Sequence, residues 1–373
     1  MLSAVDAHGE AVVLAGPQAK ALATRLKEIP HFCPQCESPV IVKAGEINIP
    51  HFAHVSSTSC DSFSEPESPR HLAGKSDLFQ WITKTAEAQM EARLPDQSQR
   101  PDILTGRIAV EYQCSSIPAS LFKERTDKYT AKNLTPFWIY GGKAVERKGT
   151  YIKLSPFQRL FLRYNAQLGF YFISYCPDRK MFTIFEHIMP LTPSLCTASC
   201  RFAKVEDMTF PPSIPFKAAA PFPLQAFFDE KRRWIDQSLY FQQGRSHPFF
   251  KAVYASRRNP YLLPEFVGLP VPSGMSIRSH PIEWQFYLLA EQHKRPVEDI
   301  IRSRIKAGHL KEQPLPLAPD VTPEAAAAEY MALINELGIS NATADSSTMF
   351  HKLQKEEQFV KVFGEKLTSR LMF

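Results

Sequence analysis

Two groups of residues in this 373-residue sequence have the types and spacing to do chemistry. The first is acidic. Arg100-Pro101-Asp102-Ile103 and Val110-Glu111-Tyr112-Gln113 fall in two short strand-like runs, Asp102 to Leu104 and Ile108 to Cys114. Thr105-Gly106-Arg107 makes the turn between them. Paired as a hairpin, the runs bring Asp102 and Glu111 together near the strand ends. Carboxylate oxygens on a rigid sheet are ligands for magnesium or manganese. Such an ion lowers the pKa of a bound water and offsets charge at phosphorus, the requirements of phosphodiester hydrolysis. Glu111 and Gln113 share one strand face, which places Gln113 to orient the attacking water. Upstream, Glu67, His71 and Lys75 recur at four-residue steps, the spacing of one helix face, with Glu67 at or before the first turn. Glu67 then completes the metal shell, and Lys75 offers positive charge to a phosphate. Each of these residues alone reads as a solvated surface charge; their ordered combination points to a catalytic site.

The second group is rich in sulfur and imidazole. Cys33-Pro34-Gln35-Cys36 is a CxxC, followed by His51-Phe52-Ala53-His54 and Cys60. Zinc takes four tetrahedral ligands of this kind, and two cysteines at CxxC spacing chelate one ion from one turn. The second pair is His54 with Cys60, or His51 with one of them. On an extended run His51 and His54 face opposite sides, and His54 is nearer Cys60. The preferred structural zinc set is therefore Cys33, Cys36, His54 and Cys60, against the alternative of free thiols beside structural histidines. Cys196 and Cys200 have no further ligand nearby and read as ordinary thiols.

The elements that must position these residues follow from pattern. Residues 3–15 alternate around His8-Gly9 and predict a short hairpin. A helical pattern runs from Pro69 to Glu91, with Leu72, Leu78, Phe79 and Ile82 on one side. A second helix covers Pro118 to Lys132, and Pro136 to Tyr140 reads as a buried strand. Residues 155–166 read as helical, and 170–176 with 181–187 as a strand pair turning at Pro177-Asp178. Dense prolines mark 191–224 as a linker. Beyond it the pattern is helical, including Glu324 to Glu329 behind Pro323. The expected division is thus a hairpin and zinc module over 1–62, a core over 63–190, a linker over 191–224 and a mostly helical domain over 225–373.

Composition sets the class of partner. The net charge of +6 suits a nucleic-acid partner without demanding one. Between Lys143 and Lys180, basic residues including Arg159 and Arg163 interleave with Tyr151, Phe157, Phe161 and Tyr164. Between Asp236 and Glu265 there is no acid, and Lys251, Arg257 and Arg258 stand among aromatics. Cations neutralise phosphates and aromatic faces stack on unpaired bases; core helices with solvated charges give the same composition. The N-terminus lacks a basic segment followed by an apolar run, and no stretch approaches the length of a membrane helix. A cytoplasmic location with no membrane span is the expectation.

The order of these features resembles the PD-(D/E)xK nuclease superfamily, and more closely the competence protein CoiA family. The residues that carry the resemblance are the CxxC, the box from His51 to His54, Cys60, Glu67 with His71-Leu72, Asp102-Ile103 and Glu111-Tyr112-Gln113-Cys114-Ser115. Arg125, Tyr129 and Trp138 continue it, and it covers residues 1–190 best. The resemblance implies an α/β fold with an αβββαβ restriction-endonuclease-like core and a zinc-finger-like N-terminal module. It also implies a role in natural transformation, acting on incoming DNA on the way to recombination. Arg125 and Tyr129 are then read as DNA contacts beside Arg159, Arg163, Lys251, Arg257 and Arg258. The expected function is a magnesium- or manganese-dependent deoxyribonuclease acting on single-stranded or branched DNA, with recombination proteins as further partners. Gln113 stands where the superfamily has lysine, and glutamine positions water but carries no charge. That departure keeps open a second reading, a nuclease-fold DNA-binding accessory without hydrolysis. A third reading, a protein-interaction platform, is disfavoured by the acidic pair.

Overall fold

The computed structural model describes residues 1–45, 49–55, 67–94, 96, 99–215, 217–218, 221–241, 244–339 and 345–371. The chain divides into two compact units. One comprises Met1–Ala144, Phe172–Ile184 and Arg201–Pro215; the other comprises Val145–Tyr171, Phe185–Cys200 and Phe216–Phe373.

The first unit opens with a five-stranded sheet built from β1 (Ser3–Val5), β2 (Ala11–Val13), β3 (His31–Phe32), β4 (Pro39–Lys43) and β5 (His51–His54), in the order β2-β1-β3-β4-β5. The expected hairpin is present: Ala4 faces Val12, and Gly9 takes the left-handed conformation its turn requires, at φ +80°. Helix α1 (Ala19–Leu26) lies between β2 and β3 in sequence. Ala4, Leu14, Ala23, Val40 and Phe52 fill a small core of their own.

The rest of this unit runs α2 (Pro69–Thr83), β6 (Gln89–Met90), β7 (Ile103–Thr105), β8 (Ile108–Gln113), α3 (Ala119–Ala131) and β9 (Thr135–Tyr140). The order is α-β-β-β-α-β. Strands β6, β7 and β8 are antiparallel neighbours, and β9 then pairs parallel to β8. A parallel pair needs a crossover, and α3 supplies it. α2 starts where Ser68 accepts the His71 N–H at 3.2 Å, with Pro69 in its first turn. It ends at Thr83, earlier than its apolar pattern predicts, and Gln89-Met90 go to the sheet instead of extending the helix. Thr83 returns its hydroxyl to the Phe79 carbonyl at 2.9 Å, a local bond that suits a helix end. Leu72, Leu78, Trp81 and Ile82 from α2 pack on Ile103, Val110 and Tyr112 from the sheet.

Two glycines make that packing close. A Cβ on Gly74 would overlap the Tyr112 ring, and one on Gly141 would also meet the Cys114 sulfur at 2.7 Å. The Tyr112 ring fills both gaps and donates its hydroxyl to the Tyr175 carbonyl at 3.2 Å. The bare backbone at Gly74 thus sets how near α2 lies to β8.

β10 (Glu146–Lys148), β11 (Tyr151–Lys153) and β12 (Arg163–Asn165) belong to the second unit. The long strands β13 (Gly169–Cys176), β14 (Met181–Pro190) and β15 (Leu195–Lys204) supply residues to both. Two sequence expectations fail here. Residues 155–166 hold a single 3-10 turn, Gln158–Phe161, and then strand β12 instead of a helix, because Leu162 is already extended and Asn165 turns the chain by accepting the Gln167 and Leu168 N–H groups. The expected linker contains β15, which pairs with β11; Cys196 to Ala198 are buried in a row, so no period-two pattern marks it as a strand. From α4 (Leu224–Phe241) the second unit is helical: α5 (Pro248–Ala255), α6 (Pro281–Glu291), α7 (Val297–Lys306), α8 (Pro323–Glu336) and α9 (Met349–Leu371). They enclose a core that includes Phe249, Phe250, Trp284 and Tyr330. Among the described residues no helix is long and apolar enough to cross a membrane.

Gly74→Ala should destabilise the protein by about 1–3 kcal/mol through overpacking, read as a lower melting temperature. Combined with Tyr112→Leu, which clears the space, it should cost less than the two single changes added together. Simple additivity would show that the ring contact does not set the spacing.

Candidate active site and Cys/His cluster

Lys75 stands one residue after Gly74, and its side chain enters the interior with only 1% of its surface exposed. Its ammonium meets Glu67 and Glu91 and lies 3.4 Å from Asp102 Oδ1. Glu67 sits before the N-cap rather than on the helix face, and folds back to meet Lys75 two turns on. His71, one turn before Lys75, places Nε2 3.5 Å from Asp102 Oδ2 and Nδ1 4.0 Å from Glu67. Asp102 just precedes β7, and its Oδ2 also accepts the Tyr112 N–H at 2.8 Å. Of the residues that the sequence assigns to one site, Glu67, Lys75 and Asp102 lie together with His71 of the same helix face beside them, whereas Glu111 and Gln113 make their contacts elsewhere. The structure adds Glu91, which pattern reading passed over as the last residue of a helix.

Burial is the largest single influence on each group, and the charges around it together decide the net direction. Burial pushes the Asp102 and Glu91 carboxyls up, but Lys75 together with the other cations and hydrogen bonds around them outweighs it and holds both far below the usual carboxylate range. Glu67 is lowered for the same reason. Burial pulls Lys75 down, and the three carboxylates more than reverse that. His71 follows the same logic: burial lowers it, Asp102 raises it, and the net shift is upward.

Glu111 occupies a different environment. The register sets Ile103 opposite Val110, so Asp102, just before β7, comes next to the stretch of β8 that carries Glu111. Glu111 nevertheless turns to α3, where Arg125 Nη2 lies 2.6 Å from its Oε1 and the Tyr129 hydroxyl donates to the same oxygen. Arg125 also lies over the Trp138 ring at 5.0 Å, and Trp138 is the cross-strand neighbour of Glu111. Burial pushes the Glu111 carboxyl up, and Arg125 does not fully offset it. Gln113 donates its amide to the Ser115 carbonyl at 3.0 Å.

Several residues expected at a DNA surface are placed elsewhere. Tyr129 is fully buried, and Arg125 is spent on Glu111 and Trp138. Arg159 is 2% exposed and donates to the Pro193 carbonyl at 2.7 Å; Arg163 is buried as well. A side chain without exposed surface offers nothing to a phosphate, so the structure corrects the reading of Tyr129, Arg159 and Arg163 as DNA contacts. Lys251 and Arg257 are exposed, and Arg258 lies 3.7 Å from Asp345.

The CxxC forms a tight turn in which the Glu37 N–H bonds the Cys33 carbonyl at 2.9 Å and the Gln35 N–H points at the Cys33 sulfur at 3.4 Å. The β4–β5 register sets His54 opposite Val40. His54 Nε2 comes 3.3 Å from the Cys36 sulfur. The ligand atoms of Cys33, Cys36 and His54 all lie within 4.8 Å of one another, close enough to hold a metal ion. His51 points elsewhere, its Nδ1 2.9 Å from the Ile49 carbonyl. Cys60 lies outside the described residues. Among the described residues no other group of three such side chains is drawn together to this degree.

An α-β-β-β-α-β core with a buried acid–lysine cluster, beside a separate Cys/His cluster, is matched over residues 67–214 by the family model "Competence protein CoiA, nuclease-like domain". The protein is therefore of the nuclease-like class. Residues 16–63 match the N-terminal domain of competence protein CoiA, and residues 222–361 its C-terminal domain. Competence protein CoiA of Bacillus subtilis (strain 168) is 31% identical over 284 residues, covering 71% of this chain and 72% of that relative. The chain belongs to the competence protein CoiA family. No solved structure matches it.

The His71–Asp102 pair generates a pH signature. A raised folded-state pKa means that the pair's stabilisation is fully present below the ordinary histidine value of about 6.5. It is lost as pH rises through the higher folded value. His71→Asn should therefore destabilise more at pH 6 than at pH 9 in urea unfolding. An equal loss at both pH values would show that protonated His71 contributes nothing.

Proposed function

We propose that the chain is a divalent-metal-dependent deoxyribonuclease acting on DNA in natural competence. The observation that carries this is the approach of Lys75, from α2, to 3.4 Å from Asp102. It supplies the positive charge that Gln113 cannot. The α-β-β-β-α-β order supports a PD-(D/E)xK assignment, and the match to a nuclease-like domain supports nucleic acid as the substrate class.

Asp102 and Glu111 fit a magnesium or manganese ion by their chemistry. Both offer hard carboxylate oxygens, Asp102 from just before β7 and Glu111 from β8, and burial still pushes the Glu111 carboxyl up despite Arg125. A bound ion would lower the pKa of a water and offset the charge at phosphorus. Glu67 supports the shell, Gln113 orients water from the face of Glu111, and Lys75 keeps Asp102 ionised. Exposed Lys251 and Arg257 serve the phosphate backbone of single-stranded or branched DNA. In the N-terminal sheet, Cys33, Cys36 and His54 hold a structural zinc, with Cys60 as the fourth ligand.

A second reading, a DNA-binding recombination accessory without hydrolysis, is favoured by one observation. Glu111 is already engaged by Arg125 and Tyr129, and Asp102 by Lys75 and His71. The two readings separate on purified protein with single- and double-stranded DNA, with and without manganese. The first expects manganese-dependent cutting that Asp102→Ala abolishes while DNA binding survives. Binding without cutting, in wild type and in Gln113→Lys alike, would establish the accessory role. Equal cutting by wild type and Asp102→Ala would remove the site from consideration.

For the Cys/His cluster, protein purified without chelators should carry about one zinc per chain, as such sites bind tightly at neutral pH. Cys36→Ser should lose it and destabilise residues 31–54 before the core. Elemental analysis finding no zinc in the wild type would reject the assignment.

A further inference from the structure

Glu91 is 3% exposed and sits immediately after β6 with its backbone in the left-handed region, at φ +50°. A non-glycine residue holds that conformation at a cost that surrounding contacts must offset. Here the contacts are on both ends of the residue. Its N–H donates to the Asp102 carbonyl at 2.8 Å. Its carboxylate takes the Lys75 ammonium on Oε1. The same carboxylate accepts the Leu2 N–H at 3.0 Å, the Ser3 N–H at 3.2 Å and the Ser3 hydroxyl at 2.9 Å. Leu2 is fully buried and Ser3 nearly so. One carboxylate therefore joins the lysine of the nuclease-like site to the first strand of the N-terminal sheet. Strand β1 and the residues leading into it are tied to both halves of the Cys/His cluster's support: Val5 faces Phe32, next to Cys33, and the Phe52 N–H bonds the Met1 carbonyl at 2.9 Å.

We infer that Glu91 is a positioning residue of the nuclease-like site, and that strand β1 completes that site by fixing the Glu91 carboxylate through Leu2 and Ser3. The inference rests on the proposed nuclease reading for its kinetic part only. Glu91 does not face substrate. It holds Lys75 at the distance from Asp102 that hydrolysis needs, and its own N–H anchors the Asp102 backbone. The geometry of Ser3 makes a selective probe available. Leu14 bonds the Leu2 carbonyl across β1–β2, so the neighbouring Ser3 N–H points away from β2 and toward Glu91. Ser3→Pro removes both Ser3 donors to Glu91 and no bond of the β1–β2 ladder.

The test uses the full chain and two readouts. The first is acylation of lysines by an amine-reactive ester, read by mass spectrometry without DNA or added metal. Lys75 should be protected in the wild type and labelled in Glu91→Gln and Ser3→Pro. Lys231 and Lys352, buried in the second unit, should stay protected, and amide hydrogen exchange over α2 and β8 should stay slow, which together exclude unfolding of either unit. The second readout is cleavage kinetics. Glu91→Gln should lower kcat by about 10- to 100-fold, the range for groups that orient a metal site's ligands, with KM for DNA unchanged. Ser3→Pro should lower kcat less, and should add nothing on top of Glu91→Gln, because both act through one carboxylate. Wild-type protection of Lys75 in Glu91→Gln, or independent multiplication of the two effects, overturns the inference. If the wild type cuts no DNA, the nuclease reading fails, and Lys75 labelling alone decides whether β1 and Glu91 hold the lysine.

Discussion

A lysine ammonium with almost no exposed surface must be matched by negative charge within the fold, and Lys75 is matched three times over. Leaving either side of such a cluster unpaired costs several kcal/mol, about 3–5 when one partner of a buried pair is removed. The three carboxylates come from the segment before α2, the end of β6 and the start of β7. None of these segments can shift without stranding a charge. The cluster thus constrains where the nuclease-like core's first helix, first strand and second strand meet, and it does so at the point where the chemistry is proposed.

The helix can deliver Lys75 only because its neighbour has no side chain. Gly74 lets α2 rest on the Tyr112 ring, and Tyr112 is flanked along β8 by Glu111 and Gln113. The Tyr112 N–H also fixes Asp102. One aromatic residue therefore sets the helix-to-sheet distance with its ring and orients an acid with its backbone. Glu111 is held by α3, where Arg125 and Tyr129 stand one turn apart on the same helix. The two acids are met by different helices, Asp102 by Lys75 and His71 of α2 and Glu111 by Arg125 of α3, each by its own cation.

What the sequence made legible was local. The hairpin at residues 3–15, the turn at Thr105-Gly106-Arg107 and helix α3 are written in turn residues and apolar spacing, and each appears in the structure. The grouping of the CxxC with His54 was readable because thiols and imidazole at that spacing form a restricted combination. Glu91 was not readable, for its partners Leu2 and Ser3 are 89 and 88 residues away and its backbone conformation has no sequence mark. The exchange of Arg125 and Tyr129 from surface contacts to internal supports was hidden for a related reason: a basic or phenolic side chain on a helix looks the same whether it meets a phosphate or a buried carboxylate. β15 was masked by nearby prolines, whose density suggested a linker, although the ten strand residues themselves contain none.

The internal cations also bear on how an acidic site of this kind exists without an ion. Hard carboxylates grouped for a divalent metal repel one another, and in a dry interior that repulsion would either unfold the site or protonate it. Lys75, His71 and Arg125 remove the repulsion in advance. They do so unequally: Asp102 is held firmly ionised, whereas Glu111, with burial outweighing Arg125, still favours a further positive charge. On the nuclease reading, an arriving ion therefore gains most at Glu111 and finds Asp102 already charged and oriented. On the accessory reading the same arrangement is complete as it stands, with the acids serving as counter-ions that fix Lys75 and Arg125 in the core. The difference between the two lies in whether Glu111 can exchange Arg125 for a metal. That depends on the freedom of α3, because Arg125 is also seated over Trp138 and Tyr129 is locked beside it.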